Sequence, residues 1–192
     1  MSFLKRILLF ILLIGVIKCA AQSDNENGKF GFLLKSNINV FQSNDLYINP
    51  KMDIGLGLGY IYSKNINHLL ALDLEAQVNF EKHKLIYNNL NLKVNDINVA
   101  VPLKLRFNLY KDFSLMSGVQ YLYVLSNQKE ELKFRKNNYL SLIGTSYSIK
   151  YKYFTVIPEI SYSLGLNNSL KQSNTNNHEL KRSAISFGIK IM

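Results

Sequence analysis

Apolar and polar residues alternate with a period of two along the chain, most clearly over residues 96–110. From Ile97 to Leu109 every odd position is apolar, whereas the even positions include Lys104 and Arg106. This is the period of a β-strand, in which successive side chains point to opposite faces of a sheet. One face of this strand is therefore uniformly apolar, and the other carries positive charge.

The same alternation predicts eight strands of eleven to fifteen residues each. They are 29–39, 51–62, 68–81, 96–110, 113–126, 139–150, 153–165 and 182–192. A tilted strand that crosses a membrane needs about 9–11 residues, whereas strands of soluble proteins are usually about 5–6 residues long. The strand lengths therefore favour a membrane-spanning barrel over a soluble sandwich.

The joins between these strands are alternately short and long. The short joins are 63–67, 110–112 and 151–152, and the long polar joins are 40–50, 82–92, 127–138 and 166–181. Outer-membrane barrels have this arrangement, with short periplasmic turns and longer extracellular loops. The sequence therefore predicts an all-β fold: an eight-stranded antiparallel up-and-down transmembrane β-barrel of the outer-membrane type.

One stretch departs from the alternation. Leu90, Leu92 and Val94 are apolar at even positions, and the parity has changed by Ile97. A β-bulge adds one residue to a strand and so changes the face of every side chain that follows. We therefore predict a bulge near residues 95–96, above the membrane.

The beginning of the chain has the features of a secretory signal peptide. A basic start precedes an uncharged apolar run over 7–17, and small residues follow at 19–21. The apolar run is too short to cross a bilayer as a helix, which takes about 20 residues. We expect cleavage after Ala21, so that 1–21 is the signal peptide and 22–192 is the outer-membrane β-barrel domain.

Cys19 allows a second interpretation, in which it becomes a lipidated N-terminal residue. Lipoprotein signals have a small residue just before that cysteine, whereas this chain has Lys18. If cleavage instead follows Ala21, the mature chain contains no cysteine and no disulfide.

The chain is basic, with a formal net charge of +10. Loss of Lys5, Arg6 and Lys18 with the signal peptide would lower this value by three, to +7. The remaining basic residues are scattered rather than clustered, and export argues against a nucleic-acid partner. We interpret them as charges of the loops and of the barrel interior.

An eight-stranded barrel is just wide enough for side chains to fill its interior, where charges have to be paired. Asp73 and Glu75 face the same side of the third predicted strand. An antiparallel register in which the numbers of opposed residues sum to 177–179 sets Asp73 by Arg106 and Glu75 by Lys104. The predicted contents of the lumen are therefore ion pairs.

Further charged residues face inward on the same assignment, and they are Asp53, Glu159, Lys35 and Lys190. The expected result is a plugged lumen with no open channel. We interpret these buried carboxylates and cations as structural rather than catalytic.

The segment 55–60 reads GLGLGY, but its glycines do not have the G-x-G-x-x-G spacing of a nucleotide-binding loop. Glycine in a strand often marks a place where neighbouring groups approach closely. We therefore expect these inward-facing glycines to make room for bulky side chains.

Candidate catalytic and metal-binding residues are sparse. His68, His83 and His178 are far apart in the sequence, which gives little support to a metal site. Some eight-stranded barrels are lipid A deacylases or palmitoyl transferases, and a deacylase site requires Ser and His close together on one strand face. Ser146 and Ser148 have no histidine nearby in the sequence. We therefore expect no catalytic residue and no cofactor.

Several segments occur in a suggestive order, beginning with the Ala21–Gln22 junction. They are DIGLGLGYIYS, VPLKLRFNL before a tight turn, FSLMSGVQYLYVLS, YFTVIPEISYSLGLNN and SAISFGIKIM. Over 22–192 their order and spacing resemble the PorT-like family of small outer-membrane β-barrel proteins of Bacteroidota. The resemblance implies an eight-stranded barrel in the cell outer membrane without a cofactor. The founding member of that family is similar to a component needed for type IX secretion, but no functional residue can be transferred.

These observations together predict a non-enzymatic structural or accessory barrel of an envelope or secretion complex. The expected partners are outer-membrane lipid and other envelope proteins, which would contact the extracellular loops or the barrel wall. Loop 127–138, which carries charges of both signs, is the favoured contact surface. Three alternatives stay open: a small diffusion channel, a soluble periplasmic lipocalin-like binding barrel and a lipid-modifying enzyme.

Overall fold

A computed structural model of the protein describes residues 28–43, 48–87, 90–110, 112–125, 135–169 and 180–192. The predicted signal peptide and Cys19 lie outside these residues. Eight long strands run through the described part of the chain. They are β1 (Gly28–Ser43), β2 (Asp53–Asn65), β3 (Leu70–Tyr87), β4 (Leu90–Tyr110), β5 (Phe113–Val124), β6 (Asn137–Tyr147), β7 (Thr155–Gly165) and β8 (Leu180–Ile191). No helix in the described ranges has the length and apolar character to cross a membrane.

The eight strands form one closed antiparallel barrel. Each strand pairs with the next in sequence, and β8 returns to pair with β1 from Phe32 opposite Ile191 to Ser43 opposite Leu180. Closure lets strands inside a bilayer bond all their backbone groups to one another, so no open edge faces lipid. The predicted eight-stranded up-and-down barrel is confirmed.

The barrel has two ends, which differ in their connections. Both ends of the described chain and the joins β2–β3, β4–β5 and β6–β7 lie at one end, here called the turn end. The other four joins lie at the opposite end, here called the loop end. In outer-membrane barrels the turn end faces the periplasm.

The apolar face of 97–109 is on the outside of the barrel. Leu103 is 42% exposed, whereas the neighbouring Lys104 is completely buried in the lumen. Outward-facing apolar residues recur on every strand, as Phe32, Leu58, Phe80, Val119, Ile143, Ile160 and Phe187 show. The barrel is therefore apolar outside and charged inside, which is the arrangement predicted for a strand that faces lipid.

β3 and β4 are longer than predicted. The segment 82–92, expected to be a long loop, instead continues both strands as far as Tyr87 opposite Leu90. Ile48–Lys51 pairs with 84–87 and adds a third strand to this extension. His83, which we expected in a surface loop, consequently lies in β3.

The predicted bulge near residues 95–96 is wrong. Paired residues of β3 and β4 have numbers that sum to 177 all the way from Leu70 with Phe107 to Tyr87 with Leu90. The apolar residues therefore move from even to odd positions along a regular strand that has no bulge. Beyond the barrel the lipid no longer requires one face of the strand to be apolar.

The β6–β7 connection also differs from the prediction, because the ladder is interrupted at Ser148. The Ser148 backbone N–H donates to the Asp112 carbonyl on the neighbouring turn, at 2.8 Å. β6 therefore ends before the predicted residue 150, and Ile149–Lys150 pairs with 155–156 as a short separate segment.

A lipid-facing wall makes the cost of a new charge depend on depth. We expect Leu103→Arg, in the middle of β4, to destabilise the barrel by about 2–4 kcal/mol, and Leu109→Arg, near the turn end, by about 0–1 kcal/mol. Urea unfolding of the barrel in lipid vesicles measures both values. Equal costs at the two depths would contradict a lipid-facing position for Leu103.

Candidate functional site

The lumen contains a balanced set of buried charges. Among the described residues, five cations and five carboxylates are less than a tenth exposed, and they are Lys35, Lys104, Arg106, Arg182, Lys190, Asp73, Glu75, Glu81, Asp96 and Glu159. Their formal charges cancel, so the excess positive charge of the chain belongs to other residues. Buried charges are tolerated when they are paired, and this balance makes pairing possible.

Lys104 joins opposite sides of the barrel. Its Nζ lies 2.7 Å from Glu75 Oε1 on the adjacent β3 and 3.0 Å from Glu159 Oε1 on β7. All three side chains are completely buried. The contact with Glu159 crosses the lumen, because β4 and β7 are not neighbours in the sheet.

Lys190 on β8 makes the second set of contacts at this level. Its Nζ lies 2.8 Å from Glu159, 2.9 Å from Glu75 and 3.2 Å from Asp73. Lys104 and Lys190 therefore share two carboxylates between them. We use the name lumen plug for these five residues and Arg106, that is, for Asp73, Glu75, Lys104, Arg106, Glu159 and Lys190.

Arg106 completes the lumen plug on the side of the turn end. Its Nη2 donates to Ser63 Oγ at 2.9 Å and to Asp73 Oδ1 at 3.4 Å. Ser63 Oγ in turn donates to the same Asp73 oxygen at 2.6 Å. A hydroxyl group thus connects the guanidinium to the carboxylate.

The predicted contacts Asp73–Arg106 and Glu75–Lys104 are present, but both are diagonal. The register sets Asp73 directly opposite Lys104 and Ala71 opposite Arg106. Long side chains reach diagonal neighbours across an antiparallel pair. Each carboxylate therefore meets a cation that is displaced along the strand.

The two other predicted lumen residues of β1 and β2 differ in their surroundings. Lys35 is buried and lies in register between Gly57 and Gly188. Asp53 is half-buried at the start of β2, where its Oδ1 accepts a hydrogen bond from the Ile54 N–H at 2.9 Å. Asp53 is thus placed at the loop end, and the plug contacts described above do not include it.

Two inward glycines make room for polar side chains. A Cβ atom at Gly188 would lie 2.9 Å from Glu159 Cγ, and one at Gly57 would overlap the amide oxygen of Asn79. The two glycines therefore leave the space that the side chains of Glu159 and Asn79 occupy. The predicted role of Gly57 in leaving space agrees with this geometry.

A second ionic cluster lies nearer the loop end, and the sequence analysis missed it. Arg182 contacts Glu81 Oε2 at 3.2 Å through Nη1 and Asp96 Oδ2 at 2.5 Å through Nη2. Glu81 and Asp96 are opposed in the register of β3 and β4. Because the sequence predicts a bulge near residues 95–96, it does not predict that Asp96 faces the lumen.

Apolar side chains fill another part of the lumen near the loop end. Leu122, Val124 and Leu140 form a buried cluster there. A cavity of about 20 Å³ lies beside it, and a more polar cavity of about 180 Å³ lies at the turn end. The lumen plug lies between these spaces.

The described residues that we considered for catalysis are not gathered into one site. Ser146 is buried in register with Glu159, whereas His68 is exposed on the β2–β3 turn and His83 is on the β3 extension. His178 lies outside the described residues. The described part of the chain contains no group of three or more His, Cys, Asp or Glu residues that could hold a metal ion.

Comparison with solved structures finds small barrels of similar extent. Neisserial surface protein A is 13% identical, with 86% of this chain and 99% of that chain covered and a TM-score of 0.49. Ail, the attachment invasion locus protein of Yersinia pestis, is 11% identical, with coverages of 87% and 99% and a TM-score of 0.44. The outer membrane protein AlkL is 9% identical, with coverages of 88% and 91% and a TM-score of 0.42.

Likenesses at these identities and TM-scores carry no argument about function. No protein-family model matches the chain, and no curated protein sequence matches it. The class of the protein therefore follows from its own geometry.

The closed ladder, the apolar wall and the paired interior define a small outer-membrane β-barrel protein. Aromatic pairs lie near both rims, Phe30 with Tyr62 at the turn end and Tyr121 with Tyr139 at the loop end, with ring centroids 4.8 and 5.6 Å apart. Such rings suit the two membrane–water interfaces. A soluble lipocalin-like barrel is not supported, because its apolar residues would have to face inward.

Removing one cation from the plug leaves its carboxylates without their full set of partners. We expect Lys104→Met to lower the free energy of unfolding by about 3–5 kcal/mol. The control is Lys150→Met, which breaks the more exposed 2.7 Å contact with Asp112 and should cost no more than about 1 kcal/mol. Urea titration of both variants in the same vesicles compares them, and equal small losses would show that the plug does not stabilise the barrel.

Proposed function

We propose that the protein is a non-enzymatic structural or accessory barrel that does not conduct ions and serves other components of the cell envelope. The observation that carries this proposal is the contact of Lys104 with both Glu75 and Glu159. These contacts span the lumen from β3 and β4 to β7. A cross-lumen network is a means of closing a pore rather than lining one.

The arrangement of the plug also argues against catalysis. Each of its three carboxylates contacts at least one cation, at distances of 2.7 to 3.4 Å. A general base would need a carboxylate with access to substrate, but these are less than a tenth exposed. The proposed role therefore belongs to the outer surfaces of the barrel.

The three-stranded extension at the loop end supports a role in binding proteins. β3 and β4 continue together to Tyr87 and Leu90, and Ile48–Lys51 adds a strand beside them. These paired strands form an ordered surface above the membrane. We assign this extension, together with the predicted contact segment 127–138, to an envelope partner.

The more specific proposal places the protein in the PorT-like family of Bacteroidota, as an accessory of type IX secretion. Its support is the order of the segments from DIGLGLGYIYS to SAISFGIKIM, each of which overlaps a strand of the barrel. This assignment makes a secretion complex the first envelope assembly to examine.

Planar-bilayer recording tests whether the lumen is closed. We expect no steady conductance from the wild-type barrel. The double variant Glu75→Ala/Lys104→Ala removes one cation and one carboxylate together, so it keeps the charge balance while opening space, and it should show steady openings. Asp112→Ala/Lys150→Ala is the matched control pair and should stay closed. Steady openings of the wild-type protein would contradict the proposal.

Crosslinking in cells of the native host tests the partner surface. We expect a crosslinked envelope protein when a photoreactive residue replaces the exposed Lys136, and loss of that product when 127–134 is also replaced by a Gly/Ser segment of equal length. Replacement of 171–178 in the same way is the control for loop disruption. If both replacements leave the product unchanged, 127–138 is not the contact surface.

A further inference from the structure

The polar cavity at the turn end has no part in the function proposed above. Its volume is about 180 Å³, and its charged lining residues are Lys29, Arg106, Lys150 and Asp112. Three of these four side chains are cations, and the single side-chain carboxylate is already 2.7 Å from Lys150 Nζ. The charged side chains of the lining are therefore positive overall.

Arg106 is the buried charged residue of this lining. Its side chain is only 8% exposed, and of its guanidinium nitrogens Nη2 is the one that donates to Ser63 and Asp73. The buried Nε–H has no hydrogen-bond partner within the described residues. A buried donor without a partner is costly, and arginine donors suit an oxyanion especially well.

The lumen plug is neutral, with three cations and three carboxylates, so it supplies no spare negative charge to the turn end. Asp73, which faces Arg106, is shared with Lys190 at 3.2 Å, so one carboxylate serves two cations. Arg106 therefore has only a shared carboxylate as its charged partner, which leaves its guanidinium able to bind an additional anion at the turn end.

Neutral donors in the lining define the kind of anion. Ser148 and Thr155, which both carry hydroxyl groups, line the same cavity as Lys29 and Arg106. These donors come from β1, β4, the β6–β7 connection and β7, so they surround the space rather than lying in one plane. A tetrahedral oxyanion accepts hydrogen bonds from several directions, as this arrangement requires.

We propose that this cavity is a binding site for a phosphate group, held by Arg106 and Lys29 with Ser148 and Thr155 as neutral donors. In an outer-membrane barrel the turn end faces the periplasm. The phosphate group there belongs either to the headgroup of an anionic phospholipid or to a free phosphate. Both sources present the same phosphate group to the cavity.

Titration calorimetry with inorganic phosphate tests the site, using the mature full-length barrel in neutral maltoside micelles. We expect saturable binding that Lys29→Gln and Arg106→Lys each weaken at least tenfold. Arg106→Lys keeps the charge beside Asp73 but loses the Nε–H, so it tests the arginine geometry in a barrel that keeps this ion pair. Lys152→Gln is the matched control, because Lys152 lies over the Tyr153 ring on the same turn rather than in the cavity, and it should bind like wild type.

Native mass spectrometry from nanodiscs separates the two sources. Retention of phosphatidylglycerol over phosphatidylcholine by wild type and Lys152→Gln, but not by Lys29→Gln, would support a lipid headgroup as the ligand. Calorimetric binding of phosphate without this lipid preference would support a free phosphate. The proposal is overturned if neither ligand binds, or if Lys152→Gln weakens binding as much as Lys29→Gln.

Discussion

The absence of water from the hydrocarbon region is the constraint on which the rest of this structure depends. It requires every backbone group to find a partner in the sheet, which the return of β8 to β1 achieves. It also puts apolar side chains such as Leu103 outside, so that Lys104 has to lie inside. The charged lumen is thus a consequence of the apolar wall, and its charges then have to be neutralised by one another.

The lumen plug meets that requirement by joining strands that are distant in the sheet. Lys104 on β4 and Lys190 on β8 share Glu75 on β3 and Glu159 on β7. Buried ion pairs are not by themselves strongly stabilising, because desolvation offsets their attraction. Their effect on register is larger: a slip by one residue would turn Lys104 toward lipid and Leu103 into the lumen. Pairing and register therefore support each other.

Much of this arrangement follows from the sequence where lipid imposes a strict alternation. Residues 97–109 predict both the wall and the inward cations, and the diagonal pair Glu75–Lys104 follows from the register of a simple hairpin. The prediction fails above the membrane, where 82–87 and 90–92 form strands although their residues do not alternate as in the barrel. Contacts across the lumen, such as Arg182 with Glu81, depend on how the closed sheet is staggered. Local sequence does not specify that stagger.

A double-mutant cycle between Glu75 and Lys104 tests the central claim, that the interior charges are held by one another, most directly. Unfolding free energies of the wild type, Glu75→Gln, Lys104→Met and the double variant are measured in the same vesicles. Our account predicts that the double variant loses less stability than the sum of the two single losses, with a coupling of about 1–3 kcal/mol. Losses that add to within about 0.5 kcal/mol would contradict it, because the two charges would then be independent of each other.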